Sequence, residues 1–226
     1  MEPKGGHSMN ITIEWTYKSK NGVETVFRSD EMPPAHALAI AEDLEKTGRV
    51  KNITFIDQYD STWMAKELKK YIKEVETEPH NVRVYFDGGF DIQTSFSGLG
   101  VVIYYEQNGK SYRLRRNAPA QGLVSNNEAE YAALHLSVVE LDLLDVHHQK
   151  VKFIGDSQVV INQMSGEWPA YEKELASWAD RIDEKLKSLG ITPEFELVPR
   201  KQNEEADRLA TQALKGVDIT GQIELQ

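Results

Sequence analysis

The chain has 226 residues, a formal net charge of −10, 40% hydrophobic and 27% charged residues, and no cysteine. That length allows one large or two small domains with self-sufficient cores, and the lack of cysteine excludes a disulfide scaffold, thiolate zinc sites and a thiol nucleophile. The charge is opposite to the basic footprint of most nucleic-acid binders, with 10 basic against 13 acidic side chains over residues 9–80 and 14 against 20 over 81–214. Any nucleic-acid contact must therefore run through a local patch or bound cations.

No apolar run approaches the ~20 residues of a membrane span, and the N-terminus lacks the apolar core of a signal peptide. The expected setting is cytoplasmic, without a membrane partner. Residues 1–8 (MEPKGGHS), ahead of a second methionine, Met9, read as an appended remnant. From Asn10 to Tyr17 apolar and polar residues alternate, with Ile11, Ile13, Trp15 and Tyr17 on one face, which is strand periodicity. Asn21-Gly22 signals a hairpin, and Glu24 to Arg28 returns as a second strand. Pro33-Pro34 opens a helix in which Ala37, Ile40, Ala41 and Leu44 share a face and Gly48 is the stop. Lys51 to Asp57 is a third strand, and a helix from about Trp63 to Val75 follows, capped by Asp60 or Ser61. Residues 9–75 thus form a small α+β domain in ββαβα order, and the polar stretch at 76–81 reads as a linker.

Beyond it, Val82 to Asp87, Gly98 to Tyr105 and Lys110 to Arg116 read as three strands, the last two joined by an Asn108-Gly109 turn. A long helix follows from about Asn126 to Asp145. A strand (Val151 to Ile154), a short helix (Ser157 to Met164) and a helix from Tyr171 to Leu189 come next. A last strand (Glu194 to Val198) and a last helix (Glu204 to Leu214) complete residues 82–214, and residues 215–226 read as a patternless tail. Three meandering strands followed by alternating helix and strand predict a mixed-sheet α/β domain.

Four acids sit at chemically suggestive places. Asp87 ends an apolar strand ahead of Gly88-Gly89, Asp156 leaves the strand VKFIG, Glu130 lies in the first turns of the long helix, and Asp207 in those of the last. Strand ends of open α/β sheets are where ligands bind. Gathered carboxylates repel unless cations neutralise them, and hard oxygen donors select Mg²⁺ or Mn²⁺ over zinc. Simpler accounts exist for two of them: Asp156 can cap the helix at Ser157, and Asp207 with Glu204 and Glu205 suits the positive end of its helix. Ser125-Asn126-Asn127-Glu128 is a capping box, so Glu128 has a structural role that Glu130 lacks.

In order, Asp87-Gly88-Gly89, Ser125 to Tyr131 (SNNEAEY), Gly155-Asp156-Ser157 and Asn203 to Asp207 (NEEAD) resemble the four motifs of type 1 ribonuclease H, over about residues 81–214. The resemblance implies an RNase H-like α/β fold, a five-stranded mixed sheet in order 3-2-1-4-5 flanked by helices. It also implies that Asp87, Glu130, Asp156 and Asp207 hold two Mg²⁺ or Mn²⁺ ions, ~3.5–4 Å apart in two-metal sites. The implied activity is hydrolysis of the RNA strand of an RNA–DNA hybrid, leaving 5′-phosphate and 3′-hydroxyl ends. Asn126 and Asn127 match the family's substrate-contacting asparagines, an amide being suited to a 2′-OH or a base edge. Gly88, Ser157, Arg200 and Asn203 complete the expected substrate contacts.

Where the family has a Gly/Pro-rich loop after the first motif, this chain has Phe90 to Ser97 with an additional Asp91, and Val198 to Lys201 replaces the customary histidine segment. Lys66, Lys69, Lys70 and Lys73 share one helix face, and Arg113, Arg115 and Arg116 cluster on a strand; each group is either a solvated face or a phosphate contact. Three functions stay open: a hybrid-cleaving endonuclease, a weakly active or inactive RNase H-fold adaptor, and a related nuclease with another nucleic-acid substrate. For the N-terminal domain a substrate clamp, a self-association interface and a protein-docking platform remain equal alternatives.

Overall fold

The computed structural model describes residues 9–225, so the remnant reading of residues 1–8 lies outside it. The chain separates into two compact units, one ending at Thr77 and the other beginning at Glu78.

In the N-terminal unit, β1 (Ile11–Lys18), β2 (Glu24–Arg28), α1 (Pro34–Lys46), β3 (Val50–Asp57), β4 (Thr62–Trp63) and α2 (Ala65–Thr77) form an antiparallel sheet in the order β2-β1-β3-β4 with two helices. Its core is Ile11, Ile13, Leu38, Phe55 and Leu68 with small alanines from α1. The short β4 is an addition to the expected order. It arises because the Asp57 carboxylate accepts from the Tyr59 and Ser61 backbone N–H groups and from the Trp63 indole, each at 2.9 Å. That turn lays Trp63 opposite Phe55 and delays the helix to Ala65. Neither Asp60 nor Ser61 caps it; Glu67 reaches back to the Met64 N–H at 2.9 Å. The connection between units is shorter than a 76–81 linker, since α2 runs to Thr77 and the next strand starts at His80.

The C-terminal unit holds β5 (His80–Asp91), β6 (Phe96–Gln107), β7 (Lys110–Gln121), α3 (Asn126–Leu143), β8 (Lys150–Gly155), α4 (Gln158–Met164), α5 (Lys173–Ser188), β9 (Thr192–Leu197), α6 (Glu204–Leu214) and β10 (Thr220–Leu225). A 3₁₀ turn, Arg200–Gln202, precedes α6. Strands β5 to β7 are antiparallel, β8 pairs parallel to β5 and β9 parallel to β8. Asn108 and Gly109 both adopt positive φ, 54° and 70°, as a tight hairpin with right-handed strand twist requires. The core lies between the sheet and α3, with α4 and α5 beside it, and includes Phe86, Ile103, Tyr131, Leu141 and Phe153.

Two features correct the expectation. The sheet has six strands, in order β10-β7-β6-β5-β8-β9, because the tail pairs antiparallel with β7 from Thr220 opposite Arg116 to Leu225 opposite Ser111. Most of its side chains remain exposed, so no hydrophobic pattern marked it. Asn117, 1% exposed, fastens the crossing. Its amide donates to the carbonyls of Leu209 (3.1 Å) and Val217 (2.9 Å), and its side-chain oxygen accepts from the Ile219 N–H at 2.7 Å. Asn117→Ala should cost roughly 3 kcal/mol, about one per lost bond, and should strip amide-exchange protection from Thr220–Leu225 before the rest of the sheet. Unchanged protection there would show that the clamp is dispensable.

The second correction concerns Asp91. Strand β5 continues through it, and its carboxylate accepts from the Gln93 N–H (2.9 Å) and the Thr94 hydroxyl (2.8 Å), folding the hairpin tip. Asp91 is a turn residue. Among the described residues no helix is long and apolar enough to cross a membrane.

Candidate active site

The four acids come from four elements whose spacing is set by backbone contact. Asp87 lies on the central strand β5, with β6 on one side and β8 on the other. Next to it, a Cβ on Gly88 would stand 2.1 Å from the Ala129 carbonyl carbon, so only glycine lets α3 press on the strand and bring Glu130 alongside. A Cβ on Gly100 of β6 would likewise stand 2.1 Å from the Ala206 carbonyl oxygen, which seats the first turn of α6 and with it Asp207. Asp156 leaves the C-terminal end of β8, two residues before α4 and next to its cap, Ser157.

Each side chain has a defined environment. Asp87 and Glu130 are each 6% exposed. Burial, then the nearby carboxylates of Asp156 and Asp207, pushes Asp87 up to about 7, and a hydrogen bond shared with Asp156 acts in the same direction. Burial, then Asp87 and Asp156, pushes Glu130 up to about 9, although the Gly88 N–H donates to its Oε2 at 3.2 Å. Asp156 accepts from the Asn203 amide at 2.7 Å, and Asp207 pairs with the exposed Arg200 guanidinium. The cap of α4 is Ser157, whose hydroxyl accepts from the Val160 N–H. The capping account of Asp156 therefore fails.

Several expected substrate contacts are placed otherwise. Asn203 is 1% exposed and spends its amide on the Phe86 carbonyl (2.9 Å) and Asp156, so it ties β5 to Asp156 from within. Its buried side-chain oxygen has no partner. Gly88 is buried against α3, and Ser157 is a cap. Asn126 is exposed, its side-chain oxygen accepting from the Phe90 N–H at 3.3 Å, and Asn127 is half-buried beside it. Glu128 makes the first bond of the expected capping box, its N–H donating to Ser125 Oγ at 3.2 Å, while its carboxylate reaches one residue past the cap and accepts from the Val124 N–H at 2.6 Å.

The basic clusters are largely engaged elsewhere. Lys69 pairs with Glu42, Lys70 with Glu74, Arg113 with Glu205 and Arg116 with Glu140. Sequence reasoning missed the internal role of Asn203 and the seat at Gly100. The alternation of glycines in Gly98-Leu99-Gly100 was the available signal for a helix lying on that strand.

Among the described residues no three acidic or imidazole side chains yet stand at metal-ligand spacing. Asp207 is held by Arg200, Asp156 by Asn203 and Glu130 by the Gly88 N–H. The donor set nevertheless fits a hard divalent cation. It consists of carboxylates, two of them raised by burial and then by the like charges of their neighbours, a repulsion that a bound cation would relieve.

A family model described as reverse transcriptase-like matches residues 85–213. The chain is 28% identical over 203 residues to ribonuclease HI of Halobacterium salinarum, covering 88% of each chain. The chain belongs to the ribonuclease HI-like family. The solved RNase H1 of Halobacterium salinarum NRC-1 superposes with a TM-score of 0.51 at 27% identity, over 60% of this chain and 98% of that one. LC11-RNase H1, solved in complex with an RNA/DNA hybrid, gives 0.54 at 26% identity over the same shares. An uncharacterised protein of Bacillus subtilis, YpeP, is 40% identical over 193 residues, 85% of each chain. Both sequence alignments are longer than the C-terminal unit, so both relatives also share part of the N-terminal unit with this ribonuclease HI-like chain.

Proposed function

We infer that the chain is a divalent-metal-dependent endonuclease that hydrolyses the RNA strand of RNA–DNA hybrids, leaving 5′-phosphate and 3′-hydroxyl ends. The observation that carries this reading is the gathering of Asp87, Glu130, Asp156 and Asp207 at one end of the sheet, with Asp87 and Glu130 raised by burial and by the neighbouring carboxylates. Family membership and a neighbour solved on an RNA/DNA hybrid support it. The four carboxylates would hold two Mg²⁺ or Mn²⁺ ions. Such ions supply a lowered water pKa and charge stabilisation of the departing oxygen.

The chain's own groups have distinct tasks. Asp87 and Glu130, fixed on a strand and a helix locked at Gly88, form the rigid half of the site. Asp156 is oriented by Asn203, a positioning residue. Asp207 is the movable member, since Arg200 is mostly exposed and can exchange the carboxylate for a substrate phosphate, which a guanidinium binds in the same fork geometry. Asn126 offers its amide N–H₂ on the exposed start of α3, suited to the 2′-OH by which RNA differs from DNA.

A labelled hybrid with Mg²⁺ or Mn²⁺ tests the reading. The wild type should cleave the RNA strand, and Asp156→Asn should lower the rate by more than about a hundredfold with its unfolding curve intact. The Arg200–Asp207 pair favours a second reading, an adaptor that binds without turnover. Hybrid binding without product across both metals would select it, and cleavage only of double-stranded RNA or branched DNA would point to another substrate.

A further inference from the structure

The outer strand of the N-terminal unit, β2, pairs with β1, and all five of its residues are exposed. Val26 is 59% and Phe27 47% exposed. An edge of this kind is a template for another strand unless its side chains oppose pairing.

The phase of the β1–β2 ladder fixes which backbone groups face outward. At one end the Ser19 N–H donates to the Val23 carbonyl (2.8 Å), and at the other the Ser29 N–H donates to the Ile13 carbonyl (2.9 Å). Antiparallel ladders alternate, so Tyr17–Thr25 and Trp15–Phe27 are the hydrogen-bonded pairs between these ends. The N–H and C=O groups of Glu24, Val26 and Arg28 therefore point away from β1.

Set antiparallel to itself, the segment Glu24-Thr25-Val26-Phe27-Arg28 places Val26 opposite Val26, Glu24 opposite Arg28 and Thr25 opposite Phe27. In that register the hydrogen-bonded pairs are 24/28, 26/26 and 28/24, the positions whose groups face outward. Charge agrees with the backbone. Glu14 of β1 lies opposite Arg28, and Lys18 opposite Glu24, so across four strands the order would be Glu14, Arg28, then Glu24 and Lys18 of a second copy, alternating in sign throughout. On the other face Phe27, stacked on Trp15 with ring centroids 5.7 Å apart, would lie diagonal to Phe27 of the second copy, within reach for aromatic side chains.

We propose that β2 is an isologous self-association edge, joining the four-stranded sheets of two copies of this chain into one continuous antiparallel sheet. The opposite edge, β4, has only two residues and offers no comparable ladder. A five-residue strand pair is smaller than a standard interface, so the dimer belongs to the weak, micromolar class. The proposal is independent of the nuclease reading, and its test does not use activity.

Sedimentation velocity of the full chain from low to high micromolar concentration should show a reversible monomer–dimer equilibrium. Val26→Pro removes an outward N–H that β1 does not use, which an edge strand tolerates, and should abolish the dimer while leaving the unfolding curve near wild type. Glu24→Lys alone and Arg28→Glu alone each set two like-charge pairs across the edge, and each should weaken association roughly tenfold or more. Mixing these two variants restores opposite charges at both ends, so the mixture should form heterodimers more tightly than either self-associates, a rescue that misfolding does not produce. A wild type that stays monomeric over the whole range, a dimer indifferent to Val26→Pro, or a mixture with no rescue would each overturn the proposal.

Discussion

Asp87→Asn is expected to abolish hydrolysis of a hybrid while making the metal-free protein more stable above neutral pH. The two effects share one cause. Asp87 is buried and crowded by Asp156 and Asp207, which holds it up at about 7 against an ordinary 3.8, and Glu130 is held at about 9 against 4.5. Both groups are raised on folding, so the folded chain retains protons that the unfolded chain has released. Their contribution is fully present below about pH 4 and is lost as pH rises through about 7 and then about 9. Asparagine carries no charge and can donate an N–H to Asp156, so the variant avoids the loss at the first of these steps.

Urea unfolding in chelator at pH 5.5 and pH 8.5 should show the wild type losing stability across that interval, with Asp87→Asn losing less by a few kcal/mol at most. Mg²⁺ or Mn²⁺ should narrow the difference, because a cation that binds only the folded, ionised site stabilises the wild type by mass action. Parallel pH slopes for the two proteins in chelator would mean that neither burial nor its neighbours hold Asp87 up. Hybrid cleavage surviving in the variant would remove Asp87 from the proposed site.

Gly88→Ala carries the second large effect. The added methyl group would lie 2.1 Å from the Ala129 carbonyl carbon, 2.2 Å from its oxygen and 2.4 Å from the Glu130 nitrogen, all of them main-chain atoms within a helix that cannot yield locally. Helix α3 must move off the strand, breaking the Gly88–Glu130 hydrogen bond and loosening a core that includes Tyr131 and Leu134. The expected cost is roughly 3–5 kcal/mol, with hybrid cleavage reduced more than about a hundredfold even at temperatures where the variant is folded. Gly89→Ala is the control. Its methyl group would meet only the Leu214 Cδ1 at 3.3 Å, the end of a flexible side chain, and should cost less than about 1 kcal/mol. Equal stability of the two variants would show that the strand–helix contact at Gly88 is not what sets the site.

Local signals in the sequence were enough for most elements. Alternation marked β1 through Ile11, Ile13 and Trp15, prolines and glycines bounded α1, and Asn108-Gly109 announced the β6–β7 hairpin. These are short-range effects, fixed by side-chain periodicity and by dihedral angles that few residues adopt. The cap formed by Ser125 on Glu128 belongs to the same class, and it gives Glu128 a local role that Glu130 lacks.

What the chain's order of residues determined by itself is therefore its periodicity, its punctuation and the four candidate acids, although β5 runs on past Asp87 to Asp91. The fold alone decided that TGQIEL completes a sheet, because that strand is held by hydrogen bonds to β7 and by Asn117 rather than by an apolar face of its own. It also turned Asn203 inward to Asp156 and Arg200 onto Asp207, and closed Gly88 against α3. Each of these depends on which group of another element the fold brings alongside, whether a polar partner for Asn117, Asn203 or Arg200 or the main chain of α3 against Gly88, and no local pattern encodes that.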